Sequence, residues 1–178
     1  MFAIVDDYLY LCRRMTTLNL PPYPVRLAGT PEHPTIFDIL RKRYVALTPE
    51  EWVRQHFVHF LISEKGYPPT LLANEVRLKI GDAPAIQTAT RKGSKKVLRA
   101  DTVLYNSQLQ PRMIIEYKAP TIALTQKVFD QISVYNLLLH VDFLVVSNGL
   151  EHYCCRMDYE RGTYEFLTEI PDYEQISQ

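Results

Sequence analysis

The spacing of apolar and polar positions changes several times along the 178 residues, and each change marks an element. Residues 18–36 carry Pro21, Pro22, Pro24, Pro31 and Pro34, a density that excludes regular helix and predicts an extended arm. Such an arm would pack through Leu18, Leu20, Tyr23 and Val25. The basic cluster Arg41, Lys42 and Arg43 then leads into the apolar Tyr44 to Leu47. Thr48-Pro49-Glu50-Glu51 is a helix start, with Thr48 as N-cap, Pro49 at the first helical position and Glu51 completing a capping box. Trp52, Val53, Phe57, Phe60 and Leu61 recur at helical spacing until Gly66-Tyr67-Pro68, which predicts a helix over residues 49–64. Thr70 to Asn74 reads as a short helical turn.

Beyond this the period shortens. Val76, Leu78 and Ile80 alternate with Arg77 and Lys79, the pattern of a half-buried strand. A long polar loop from Gly81 to Lys96 follows, and Val97 to Tyr105 and Met113 to Tyr117 read as two strands joined across Asn106 to Pro111. Val128, Ile132, Tyr135 and Leu139 give Ala123 to Leu139 a helical face. Phe143 to Ser147 is a short apolar strand, and Asn148-Gly149 is a hairpin signal leading into Glu151 to Met157, with a last strand at Thr163 to Leu167. This order predicts an α/β sandwich around a mixed sheet with a terminal β-hairpin. We divide the chain into an N-terminal extension and Pro-rich arm (1–43), a main domain (44–170) and an acidic tail (171–178).

Composition narrows the class. A length of 178 residues suits one domain with short extensions, and 47% hydrophobic residues with 6 Gly exclude a disordered or fibrous chain. Twenty basic residues balance twenty acidic ones, which at first argues against an anionic partner. The charge is unevenly spread, however. Residues 151–178 hold seven acids and two bases, net −5, so the first 150 residues carry +5. Cys12, Cys154 and Cys155 are an odd set with two neighbours adjacent, unsuited to a disulfide framework, so a reducing, cytoplasmic setting is expected. The N-terminus has Asp6 and Asp7 where a signal peptide would be apolar, and no window reaches the ~20 apolar residues of a membrane span. The change of character after Met15 is what an upstream extension or misassigned start over residues 1–14 would produce.

The strand Met113 to Lys118 carries the chemistry. Its first residues suit a buried strand, yet it ends in Glu116 and Lys118, two residues apart and therefore on one side, with Tyr117 facing the other way. Burying unpaired charge there costs several kcal/mol unless a partner compensates. Asp101 interrupts the preceding strand, and in an antiparallel hairpin it can sit opposite Glu116. Two carboxylates that close repel unless a cation lies between them or one is protonated. Mg²⁺ suits an all-oxygen site that keeps several waters.

An Asp followed about fifteen residues later by Glu-x-Lys on the adjoining strand resembles the active-site motif of the PD-(D/E)XK nuclease superfamily, with Ala100 in place of the proline. Gln131 and Tyr135, one turn apart on the next helix, match a Gln-x-x-x-Tyr pattern that accompanies the motif in one branch. From Tyr44 to Tyr173 the chain resembles the N-terminal nuclease domain of type I restriction enzyme R subunits, in a stand-alone short form. The phrases YVALTPEEWVRQHFVHFLISEKGYP, RADTVLY, MIIEYKAP, KVFDQISVYN and VVSNGLEHYCC carry that likeness. It implies a restriction-endonuclease-like core and Mg²⁺-dependent hydrolysis of DNA, with Mn²⁺ as substitute. Asp101, Glu116 and the Tyr117 carbonyl would hold the metal, Lys118 would act on the phosphate or its attacking water, and Gln131 and Tyr135 would support them. Glu51 and Glu75 match acidic positions of the family and are further metal candidates; Glu51 is equally explained by its cap. Besides DNA, the likeness implies action either alone or with a helicase motor or a specificity subunit, and no membrane partner is expected. The alternative is a catalytically idle DNA-binding or assembly subunit that keeps the nuclease fold.

Arg91, Lys92, Lys95, Lys96 and Arg99 lead into the Asp101 strand and are the candidates for phosphate contacts. His152-x-Cys154-Cys155 lacks a second cysteine pair, and adjacent strand residues face apart, so Cys154 and Cys155 read as buried small apolar residues rather than a zinc site. His56, His59 and His140 have no partner spacing. No G-x-x-x-x-G-K-[ST] segment is present, so the chain contains no P-loop ATP motor.

Overall fold

A computed structural model describes residues 15–78 and 98–177 of the chain. The Pro-rich arm is extended as expected, but only at first. Strands β1 (Leu27–Gly29), β2 (Pro34–Asp38) and β3 (Arg43–Ala46) pair in order as a small antiparallel sheet. Proline is tolerated there because Pro34 opens its strand, where no ladder donor is needed. The small sheet is tied to helix α1 (Pro49–Ser63) by a cluster of Leu27, Ile36 and Trp52. Thr48 caps α1 by accepting the Glu51 amide hydrogen at 3.0 Å. The expected capping box is only half made, because the Glu51 carboxylate turns away into a buried ionic network.

The main sheet runs β4 (Leu72–Leu78), β5 (Leu98–Tyr105), β6 (Pro111–Tyr117), β7 (Phe143–Ser147), β8 (His152–Asp158) and β9 (Thr163–Leu167) in that spatial order. Every neighbouring pair is antiparallel except β6 and β7, which are parallel and joined through helix α2 (Gln126–Leu139). A parallel pair requires such a crossover. The helices cover opposite faces. Val53, Phe57 and Leu61 of α1 pack with Leu104, Met113, Ile115 and Tyr117. Val128, Ile132 and Tyr135 of α2 pack with Val103, Ile114, Leu144 and Val146. Full burial of each large apolar side chain contributes about 1.5–3 kcal/mol. The sheet is therefore mixed and flanked by helices, as its residue pattern predicts. Cys154 and Cys155 fall in opposite cores, and burial pushes their thiols up to about 12 and about 11.

The arm crosses the β7–β8 turn at Gly149, whose φ of +83° suits only glycine there and whose Cβ, if present, would lie 2.7 Å from Leu18. The Asn19 amide donates to the Gly149 carbonyl at 2.7 Å. At the other end the chain does not trail off as a simple acidic tail. Ile170 and Ile176 join the α1-side core, the Tyr67 hydroxyl donates to the Pro171 carbonyl, and Tyr173–Ile176 form a short helix, α3.

Between residues 66 and 78 the expected turn and strand shift. A 3₁₀ turn occupies Pro69–Leu71, and β4 begins at Leu72, so Glu75 lies inside the strand rather than before it. Glu75 has φ +61°, a left-handed residue in the middle of a strand. Strict alternation therefore fails. Leu72 faces the α1 core, whereas Val76 and Leu78, also even-numbered, face the α2 core. β5 switches in step, with Leu104 on the α1 side and Leu98 and Ala100 on the α2 side. Asp101 lies within the β5 switch and across from Glu75 at the β4 switch, where both layers meet.

Candidate active site

Strand β6 ends in a buried carboxylate with three polar neighbours. Glu116 is only 3% exposed. Its Oε1 accepts from Lys118 Nζ at 2.6 Å and from Gln131 Nε2 at 2.5 Å. Lys118 also donates to Gln131 Oε1 at 3.3 Å, and Gln131 donates to the Tyr135 hydroxyl at 3.0 Å. The strand period puts Glu116 and Lys118 on one side, and the one-turn spacing on α2 brings Gln131 and Tyr135 over them. Tyr117 faces the other way and packs edge-on to Phe57 of α1.

Asp101 completes the group from β5. The β5–β6 ladder has Thr102 opposite Ile115, which puts Asp101 and Glu116 next in line beyond it. There the ladder bond is replaced by a side chain, since Asp101 Oδ2 accepts the Tyr117 amide hydrogen at 2.9 Å. Its Oδ1 accepts from Arg54 at 2.9 Å. All five residues expected to form the core of the site, Asp101, Glu116, Lys118, Gln131 and Tyr135, thus converge at one end of the sheet.

The charges are unevenly satisfied. Burial, followed by the charge of Asp101, pushes the Glu116 carboxyl up to about 7 despite the opposing Lys118 ammonium. Burial also raises Asp101, against the pull of Arg54 and the Tyr117 amide, with Glu75 adding to the rise. Lys118 is partly buried, yet Glu116 and Asp101 keep its pKa above the ordinary lysine value. Glu116 Oε2 is buried and has no hydrogen-bond partner among the described residues. A carboxylate oxygen in that state calls for a proton or a cation. Two neighbouring carboxylates, one with a vacant buried oxygen, fit Mg²⁺, which takes one or two carboxylates and completes its shell with water.

The remaining acids behave differently. Arg54, 2% exposed, gathers Glu51 Oε2 at 3.0 Å, Glu75 Oε1 at 2.5 Å, Asp101 and, more distantly, Glu50 at 3.8 Å. Burial alone would lower the Arg54 pKa; Asp101, Glu51 and Glu75 reverse this and raise it. Glu51 Oε1 is taken by Arg41 at 2.9 Å and Gln55 at 2.8 Å. Glu75 Oε2 pairs with the exposed Arg99 at 2.6 Å. The structure therefore brings Glu51 and Glu75 to the site but commits both to arginines. Among the described residues no three Asp, Glu, His or Cys side chains converge as a cage for an ion. Arg99 lies at the rim of the site; Arg91, Lys92, Lys95 and Lys96 lie outside the described residues.

Sequence reasoning missed the centrality of Arg54. Its i,i+3 spacing from Glu51 is visible in the chain, but Glu75 and Asp101 reach it only through the tertiary fold. Asp38, Arg41, Asn74 and Thr102 were not readable as neighbours at all. His152 is hydrogen-bonded to Ser147 and the Asn19 carbonyl.

Comparison with known proteins bears on the same residues. No curated protein matches the chain. Among solved structures it is similar to a fragment of a protein described as an HsdR subunit of a type I restriction enzyme from Vibrio vulnificus YJ016. The two share 20% identity with a TM-score of 0.50, over 73% of this chain and 24% of that one. The chain thus spans about a quarter of that relative's length. The likeness supports a restriction-endonuclease-like arrangement of the mixed sheet and its helices. Residues 49–171 match the family model described as type I restriction enzyme R protein N terminus (HSDR_N). That match runs from α1 through all six strands of the main sheet and takes in every residue of the converging site, so the chain belongs to the family of type I restriction enzyme R protein N termini.

Proposed function

We propose that the chain is a Mg²⁺-dependent DNA-cleaving domain of the type I restriction R-subunit kind, acting alone or with a motor and a specificity partner. The observation that carries this reading is Glu116, buried between Lys118 and Gln131 beside Asp101 with one oxygen unpartnered. Asp101, Glu116 and the Tyr117 carbonyl would hold the ion, which when bound polarises a phosphate oxygen and makes bound water a nucleophile near neutral pH. The chain's own groups do the positioning. Gln131 clamps Glu116 Oε1 and is itself oriented by Tyr135, so the free Oε2 has a fixed direction. Lys118 stays charged and presents a fixed donor where negative charge grows on a phosphate under attack, which favours the transition state over the ground state. Arg99 at the rim is exposed but paired with Glu75, so a backbone phosphate would have to share or displace that pair.

The test is cleavage of supercoiled and linear DNA with Mg²⁺ or Mn²⁺ by the wild type and by Asp101→Ala and Lys118→Ala. Cleavage by the wild type that both variants lose supports the reading. Salt-sensitive DNA binding without cleavage in any metal would instead identify an idle subunit that keeps the nuclease fold. Equal cleavage by all three preparations would trace the activity to a contaminant and overturn the assignment.

A further inference from the structure

The small N-terminal sheet precedes the residues that match the family, yet it is wired into the site. Asp38, at the end of β2, is fully buried. Its Oδ1 accepts the amides of Leu40 and Arg41 at 2.8 Å each, and its Oδ2 accepts from the Arg41 guanidinium and from Asn74 Nδ2 at 2.8 Å. Two branches leave this residue. The first alternates in charge: Asp38, Arg41, Glu51, Arg54, Asp101, with the links beyond Arg41 at 2.9, 3.0 and 2.9 Å. The second runs from Asn74, whose Oδ1 accepts the Thr102 hydroxyl at 2.6 Å. Both branches therefore end on consecutive residues of β5, one on the Asp101 carboxylate and one on its neighbour.

We propose that Asp38 and Arg41 are positioning residues of the candidate site, which set the Asp101 carboxylate through Glu51 and Arg54 and the adjoining β5 backbone through Asn74 and Thr102. The geometry gives each member a distinct task. Asp38 holds the turn after β2 and presents the Arg41 guanidinium in one orientation. Arg41 neutralises one oxygen of Glu51, so that Arg54 is not drawn wholly to Glu51 and keeps a nitrogen for Asp101. Arginine suits both relay positions because its planar fork reaches two carboxylates at once. Removing Arg41 leaves Glu51 under-compensated, pulls Arg54 toward it and loosens the Asp101 oxygen that Arg54 steadies. Among metal sites, such outer partners typically change affinity or activity by roughly 10- to 100-fold.

This inference rests on the proposed nuclease reading for its activity arm only, and the experiment separates the two. Arg41→Gln, Asp101→Asn and the double variant are compared with the wild type by urea unfolding. Arg26→Gln is the control, since Arg26 precedes the same sheet and stacks on Phe37 without joining the relay. Coupling through the relay makes the unfolding constant of the double variant differ by more than about twofold from the product of the single effects. In calorimetry with Mn²⁺ and in DNA cleavage, Arg41→Gln loses roughly tenfold in affinity and in kcat with KM for DNA unchanged, while Arg26→Gln matches the wild type. Additive unfolding effects overturn the proposal. So does wild-type Mn²⁺ affinity and kcat in a folded Arg41→Gln protein. If Arg41→Gln does not fold, Arg41→Lys, which keeps the charge but cannot span Asp38 and Glu51, takes its place with the same expected coupling and loss. If the wild type binds no Mn²⁺ and cleaves nothing, the nuclease reading falls and the unfolding cycle alone decides the relay.

Discussion

On the α1 side of the sheet, Arg54 stands among Glu50, Glu51, Glu75 and Asp101, and each oxygen of Glu51 and Glu75 has an arginine or amide donor. On the α2 side, Glu116 has its donors crowded onto one oxygen and none on the other. Both clusters are buried, and Asp101 belongs to both. The first answers every oxygen of Glu51 and Glu75 with a donor, and among the described residues leaves only Arg54 Nε and Gln55 Oε1 unpartnered within it. The second is left one ligand short. A closed ionic network fixes geometry at a desolvation cost, while an open one retains capacity for an added cation. The contrast teaches that burial of charge is not in itself the mark of a binding site. The mark is burial combined with an unspent carboxylate oxygen, which carries charge that the unpartnered Gln55 amide oxygen does not.

Four substitutions bear on that contrast, in descending order of effect. Arg54→Ala leaves several buried acids uncompensated, and loss of one member of such a network typically costs about 3–5 kcal/mol. Urea unfolding reads this directly, and a loss below about 1 kcal/mol would mean that the α1-side cluster is not closed but solvated. Lys118→Ala removes the donor proposed to face the phosphate under attack, with an expected fall in cleavage of roughly 10²- to 10³-fold and a folded protein. Retained cleavage would move the chemistry away from the α2-side cluster. Gln131→Ala frees Glu116 Oε1 and unfixes its rotamer, for which a loss of roughly 10- to 100-fold in Mn²⁺ affinity is expected by calorimetry.

Glu116→Gln gives the smallest and most diagnostic change, in pH dependence. In the metal-free protein the Glu116 carboxyl lies at about 7 against an ordinary 4.5, so between those values the folded state keeps a proton that the unfolded chain releases. Stability from this group therefore declines as pH rises from 4.5 through 7. Glu116→Gln should remove that decline, so its melting temperature overtakes the wild type's above neutral pH. For the wild type, Mn²⁺ must displace the proton, and its affinity should climb as pH rises toward 7 and level off beyond. A wild-type melting temperature independent of pH across this range would show that Glu116 is not held in the open, proton-competent state.

How far the chain could be read without its fold differs from element to element. Helix α1, strands β7 and β9 and the β7–β8 turn follow from local signals: Thr48 with Pro49, an apolar run, and Asn148-Gly149. The α2-side cluster was also legible, because Glu116 and Lys118 are two apart on a strand and Gln131 and Tyr135 four apart on a helix. Its members are related by the periods of the elements that carry them. The residue pattern starts strand β4 at Val76, four residues past its actual start at Leu72, since the left-handed Glu75 reverses the alternation on which strand reading depends. The arm's prolines predict an extended chain but not a sheet, because pairing of β1 to β3 is a matter of partners and not of local preference.

Local chemistry along the chain was enough to specify the layers, the acids and the ammonium at the strand end, and the helix face above them. Only the tertiary structure decided that Arg54 links three segments, that Asp38 and Arg41 reach the site from outside the family match, and that Glu51 serves an ionic relay instead of closing its own cap. The physical reason is range. Strand and helix periods relate residues a few positions apart, whereas the contacts of Arg54 with Asp101, separated by 47 positions, and of Asp38 with Asn74, separated by 36, exist only once the sheet and helix have packed. Whether a buried acid is answered or left open is settled by those distant partners.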